Sequence, residues 1–179
     1  MQIRLSAAFA LSFFSQLTFA GAASLPTPTL EPLPELHIDS KRVTVSGVSS
    51  GAFMAVQLHV AHSSFFKGAA SVAGGIWECS RGSFLRSAGF CMKGPRRIVV
   101  KEHVDLAKSR AAAGAIDDLS NLATARVAIF ASPGDKVIDQ IGSDKLAEFY
   151  AALFVPLIVR LTDPAAAHGF PTLAYGNAC

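Results

Sequence analysis

Residues 47–51 read Gly-Val-Ser-Ser-Gly, two adjacent serines set between two glycines. A serine hydroxyl becomes a nucleophile only when a base removes its proton and the chain holds it exposed. Both conditions are met in a nucleophile elbow, where a strand turns sharply into a helix and the serine at the corner takes a strained backbone conformation. Neighbours two residues before and two after the serine are expected to be small, because their side chains would collide with the tight turn. Centred on Ser49 those neighbours are Gly47 and Gly51; centred on Ser50 they are Val48 and Ala52, and valine fits badly. The sterics select Ser49 as the nucleophile. Ser50 then opens the helix, and its amide is the expected donor to an oxyanion.

A triad needs an acid and a histidine, which follow such a serine in the order Ser, acid, His. Asp135 lies in the turn SPGDKV just after the apolar run RVAIFAS, and His168 lies in DPAAAHGFPT just after PLIVRLT. Both sit past the end of an expected strand. Asp139 and Asp163 are weaker acids, the second being explained by a turn or cap. His59 and His62 fall on or just after the helix that Ser49 begins, so they read as packing or surface residues, and His37 and His103 have no such context. Ser49, Asp135 and His168 together make acyl transfer through a covalent intermediate the expected chemistry, with no metal or organic cofactor.

The elements that must position these groups alternate. KRVTVSG reads as a strand, Ala52 to Ala61 as a helix and FKGAASVAGG as a short strand; Trp77 to about Arg97 looks irregular. His103 to Leu122 reads as helical with a break near Gly114, RVAIFAS as a buried strand, SDKLAEFYAAL as a helix and PLIVRLTD as a last strand. Strands alternating with helices predict an α/β fold with a mainly parallel sheet, and the elbow with its Ser, acid, His order makes the expected type α/β-hydrolase-like.

The 179 residues are 51% hydrophobic and 16% charged, a globular balance. The first 23 combine Arg4, an apolar stretch from Leu5 to Phe19 and small residues at Ala20, Ala22 and Ala23, which reads as a secretory signal peptide. Ser12, Ser15 and Gln16 interrupt that stretch, which argues against a membrane anchor. Without Arg4 the formal charge of +3 becomes +2, too small to point to nucleic acid or an anionic membrane as partner. Residues 24–35 form a proline-rich lead-in, and the folded domain is expected over 36–179. Export to the periplasm or outside the cell allows a disulfide between Cys79 and Cys91, which flank a loop-like stretch, and leaves Cys179 over. No second Cys or His sits near any of the three at zinc-ligand spacing.

Four blocks in this order, SGVSSGAFMAVQLHVAHSSFF, AGGIWEC, SPGDKV and AHGFPT, resemble the polyhydroxybutyrate depolymerases, secreted serine esterases of the α/β-hydrolase type. The likeness runs from about Val43 to Cys179. It implies Ser49, Asp135 and His168 as nucleophile, acid and base, and a polyester of 3-hydroxy acids as substrate. Gly51 and Ala52 stand where relatives often have Gly-Gly. Phe53, Phe65, Phe66, Trp77 and Phe170 are candidates for an apolar cleft, although such residues are more often core. A secreted carboxylesterase for other esters would share every one of these residues, and so would a truncated, non-catalytic remnant.

In the usual α/β-hydrolase order several strands precede the elbow, including the one whose loop gives the second oxyanion donor. Here little chain precedes it, so the expectation is a circularly permuted order, incomplete at the C-terminus. An unpaired sheet edge, a partly uncovered apolar face, poor stability and little activity of the isolated chain go with that expectation.

Overall fold

The computed structural model describes residue 32 and residues 34–172. The segment 1–23 read as a signal peptide, most of the proline-rich lead-in and Cys179 lie outside the described residues. The chain divides into two units, Met1–His37 and Ile38–Cys179, and the second carries the fold.

Its sheet has four strands, β1 Thr44–Val48, β2 Gly68–Val72, β3 Arg126–Ala131 and β4 Leu157–Thr162, all parallel and side by side in chain order. Each parallel pair requires a crossover, and the crossovers carry helices: α1 Ser50–Ala61 between β1 and β2, α3 Val100–Ala112 between β2 and β3, and α4 Ile141–Ala152 between β3 and β4. Right-handed crossovers that always step the same way across a sheet place every helix on one face. Burial follows that rule. Val127, Ile129 and Ala131 are buried on the helix side, and they alternate with the less buried Arg126, Ala128 and Phe130. The core lies between sheet and helices, around Trp77, Phe149, Tyr150, Leu146, Leu122 and Val56. Trp77 stacks on Phe149 with ring centroids 6.2 Å apart.

Among the described residues no helix lies on the opposite face. On it Ser46, Ala70, Ala128 and Val159 stand in one register row, and Val48, Val72, Phe130 and Leu161 in the next. Val159 is 42% and Leu161 55% exposed. Among the described residues β1 pairs only with β2 and β4 only with β3, so both edges are open.

The excursion after β2 is not irregular, as the sequence suggests, but a run of short helical turns: α2 Phe84–Arg86, a π-helical turn at Ser87–Met92 and a 3-10 turn at Pro95–Arg97. The Cys79–Cys91 disulfide closes it, with Cα atoms 5.8 Å apart. Arg86 Nε donates to the Cys79 carbonyl at 2.9 Å, and the Arg86 and Arg97 guanidinium groups lie 4.2 and 5.2 Å from the Phe90 ring centroid. The helix expected over 103–122 is also redrawn. It begins earlier, at Val100, and stops at Ala112, because Gly114 at φ 69° turns the chain out of helix; a 3-10 segment at Leu119–Thr124 follows. No helix among the described residues is long and apolar enough to cross a membrane.

Candidate active site

Ser49 sits at the corner between β1 and α1 with φ 56° and ψ −122°, a conformation that costs a non-glycine residue on the order of 1–3 kcal/mol. The surroundings impose it. The Ser49 amide donates to the Val72 carbonyl at 2.9 Å, tying the corner to β2, while the Ser49 carbonyl accepts from Ala52 and Phe53 at 2.9 and 3.1 Å and starts the helix. The Ser49 side chain makes no capping bond, so its hydroxyl is not consumed by the helix end. Ser50 is the first residue of α1, and amides of the first turn lack an acceptor within the helix.

The two flanking glycines are not equivalent. A Cβ on Gly47 would lie 2.3 Å from the backbone C and O of Gly51 and 2.8 Å from the Ala52 nitrogen, so residue 47 must be glycine for the elbow to close. A Cβ on Gly51 would meet nothing within 4 Å. The steric requirement read from the motif therefore holds before the serine and fails after it.

Asp135 and His168 come together. Asp135 stands on the loop after β3, His168 on the loop after β4, and His168 Nδ1 donates to Asp135 Oδ2 at 2.8 Å. That bond places the ring proton on Nδ1 and leaves Nε2 with a free lone pair, the form a general base needs. The other carboxylate oxygen, Oδ1, accepts from the amides of Val137 and Ile138 at 2.7 and 3.0 Å. The Asp135 side chain is 3% exposed. Burial pushes its carboxyl up, but the His168 bond, the two amide bonds and the charge that His168 can carry together hold it below the ordinary carboxylate range. Asp135 is thus ionised wherever the imidazole needs a fixed acceptor.

Two residues that support this pair went unnoticed in the sequence. Ser132 Oγ donates to the Ala166 carbonyl at 2.5 Å and accepts from the Gly134 amide at 2.9 Å, stitching the acid loop to the histidine loop. A Cβ on Gly134 would lie 2.8 and 2.9 Å from the carbonyl oxygens of Pro164 and Ala166, so the two loops touch there. Both residues stand in the SPGD block, but the partner is 34 residues from Ser132 and no local pattern points to it.

Ser49 stands at the same carboxyl edge of the sheet, two strands from the acid loop; no hydrogen bond joins it to His168. Among the weaker candidates, Asp139 Oδ1 accepts from the Ile141 amide at the start of α4, and Asp163 Oδ1 accepts from the Ala165 amide within its own turn. His59 is fully buried and bonded through Nδ1 to the Tyr150 hydroxyl at 2.8 Å, whereas His62 is exposed. His103 is buried and donates through Nδ1 to the Trp77 carbonyl at 2.8 Å. The aromatic candidates do not converge on a cleft: Trp77 is core, Phe53 packs against the core, Phe65 meets Phe66 edge-on, and Phe65 and Phe170 are largely exposed. No group of three metal-ligating side chains occurs among the described residues.

No family model matches the sequence. A poly(3-hydroxybutyrate) depolymerase from Delftia acidovorans is 44% identical over 150 residues, which are 82% of this chain and 30% of that protein. The chain belongs to the poly(3-hydroxybutyrate) depolymerase family. A polyhydroxybutyrate depolymerase from Talaromyces funiculosus is 39% identical over 72 residues, 40% of this chain and 20% of the relative. Among solved structures, the PHB depolymerase from Penicillium funiculosum superimposes with a TM-score of 0.68 at 27% identity, over 79% of this chain and 45% of that one. A PHB depolymerase solved as a serine-to-alanine variant with an R3HB trimer gives 0.67 at 26%, with the same coverage. The chain therefore spans less than half the length of these relatives, and what it shares with them is the α/β-hydrolase arrangement of sheet and helices.

Proposed function

We propose that this chain carries the catalytic triad of a secreted serine esterase that cleaves poly(3-hydroxybutyrate)-type polyesters. Ser49 Oγ attacks the ester carbonyl as His168 Nε2 takes its proton, forming a tetrahedral oxyanion beside the Ser50 amide. Collapse breaks the bond to the leaving alcohol, which takes the proton from His168, and leaves an acyl group on Ser49. Water then attacks the acyl-enzyme, again giving its proton to His168, and the acid is released with Ser49 restored. Asp135 holds the imidazole in the required tautomer throughout.

The observation that carries this reading is the joint presence, at one sheet edge, of a serine held at positive φ and a buried carboxylate bonded to a histidine. The R3HB trimer bound by a 26%-identical depolymerase supports the polyester as substrate class, and the signal-like N-terminus supports export. Covalent labelling by a fluorophosphonate tests the nucleophile. Label is expected on Ser49, lost in Ser49→Ala and largely kept in Ser50→Ala, where the amide remains; equal loss from both substitutions refutes the assignment. A panel of polyester film, hydroxybutyrate oligomers and simple acyl esters separates a depolymerase from a general carboxylesterase.

A further inference from the structure

The loop that carries Asp135 takes part of its shape from a segment far from it in sequence. Asp135 Oδ1 accepts from the amides of Val137 and Ile138 at 2.7 and 3.0 Å, so the carboxylate keeps its aim only while those peptides are held. Their neighbouring bonds run to the disulfide-closed excursion. The Met92 carbonyl accepts from the Asp139 amide at 2.9 Å, and Lys93 Nζ donates to the Lys136 carbonyl, 43 residues away. The Lys136 carbonyl and the Val137 amide are the two ends of one peptide group. The ammonium grips that group at its oxygen while its N–H meets Asp135 Oδ1.

The excursion is itself braced. Cys91 is bonded to Cys79, and next to Cys79 both Glu78 carboxylate oxygens accept from Arg110 of α3 at 3.1 and 3.2 Å. Met92 and Lys93 therefore reach the acid loop from a fixed support. Lys93 also keeps its charge for this contact: Asp135, Asp139 and Asp144 line the same cleft, yet among the described residues Lys93 forms no ion pair.

We infer that Lys93 is a positioning residue for the acid of the triad, holding and polarising the 136–137 peptide so that its N–H fixes the Asp135 carboxylate against His168. The inference rests on the triad reading given above. A cation at a carbonyl oxygen draws electron density through the peptide and makes the N–H at its other end a stronger donor. The carboxylate oxygen that faces His168 is then oriented by the bonds made to its twin.

The test compares the full chain with Lys93→Met, which keeps the stem and removes the charge, and Lys93→Arg, which keeps a cationic donor. Two quantities are read: the amide hydrogen exchange of Val137 and Ile138, and the rate of fluorophosphonate labelling at Ser49. In Lys93→Met the two amides are expected to exchange about tenfold faster, with Ile129 in β3 and the urea midpoint unchanged. Labelling is expected to slow by about tenfold, and Lys93→Arg to recover most of both losses. Unchanged exchange at Val137 and Ile138 in Lys93→Met overturns the proposal, and so does Lys93→Arg behaving like Lys93→Met, since the charge would then do nothing. A wild-type chain that takes no label counts against the triad reading alone, and the exchange rates of the three proteins still decide the role of Lys93.

Discussion

Gly47 and Gly51 look alike in the motif and should behave oppositely when each is replaced by alanine. A methyl carbon at residue 47 would sit 2.3 Å from two backbone atoms of Gly51. Ordinary contact needs about 3.5 Å, so the first turn of α1 must move by roughly 1 Å. No side chain can yield there, because the opposing atoms are backbone. Overpacking of this kind costs about 1–3 kcal/mol, and a backbone wall on one side puts Gly47→Ala at the upper end. For a domain of this size that is on the order of 10 °C in Tm. The same displacement moves Ser49, and a misplacement of about 1 Å costs roughly 10²-fold in rate. At residue 51 the added methyl meets nothing, and alanine in a helix is favoured over glycine by about 0.5–1 kcal/mol. Urea unfolding with fluorophosphonate labelling rates measures both effects. Gly47→Ala should lose stability and labelling together, while Gly51→Ala keeps both or gains stability. Similar losses in the two variants, or an unperturbed Gly47→Ala, would refute the argument from the elbow's geometry.

Reducing the Cys79–Cys91 disulfide, or replacing both residues by alanine, should lower stability by about 3 kcal/mol, read from the urea midpoint; the bond closes a loop with a sequence separation of 12. Asp135→Asn should slow labelling of Ser49 by about 10⁴-fold with little change in fold, since an amide cannot hold the imidazolium as a carboxylate does. The Asp135 carboxyl is held low in the folded state, so the stability it contributes is present above the ordinary carboxylate range and lost as pH falls through its depressed value, and unfolding of Asp135→Asn should lack that acid limb. Burial lowers His59 to about 4, so an unfolded chain takes up a proton near 6.5 that the native one refuses. Stability should therefore fall by about 3 kcal/mol as pH drops from 6.5 to 4, and His59→Gln, which can still bond Tyr150, should lose correspondingly less.

The strands and the order of the site residues are legible because each strand is a short β-branched or apolar run, VTV, VAIF or LIV, followed at once by turn chemistry. What local pattern hides is whatever depends on distant partners. The turns at 84–97 take their shape from a disulfide and from arginines around Phe90, and neither carries a helical period. Trp77 follows a glycine pair, as a cleft residue could, yet its environment is set by Phe149, 72 positions later. The symmetric spelling of the elbow conceals an asymmetric turn, since only the residue before the serine faces the returning helix.

The site's geometry rests on one continuous line of hydrogen bonds. Ser49 is tied to β2 through its amide and the Val72 carbonyl, and the residue just past β2, Ala73, itself at φ 50°, donates to the Phe130 carbonyl of β3 at 2.9 Å. From β3 the line passes through the Ser132–Ala166 and Asp135–His168 bonds to the loop after β4. Ser49 and His168 thus sit past the ends of the two outer strands, and their separation is set by three parallel registers in series. A slip of one residue in any of them would carry a strand's side chains to the other face and break the line. Among the described residues both outer strands are open edges, so whatever firms β1 or β4 also firms the approach of Ser49 to His168.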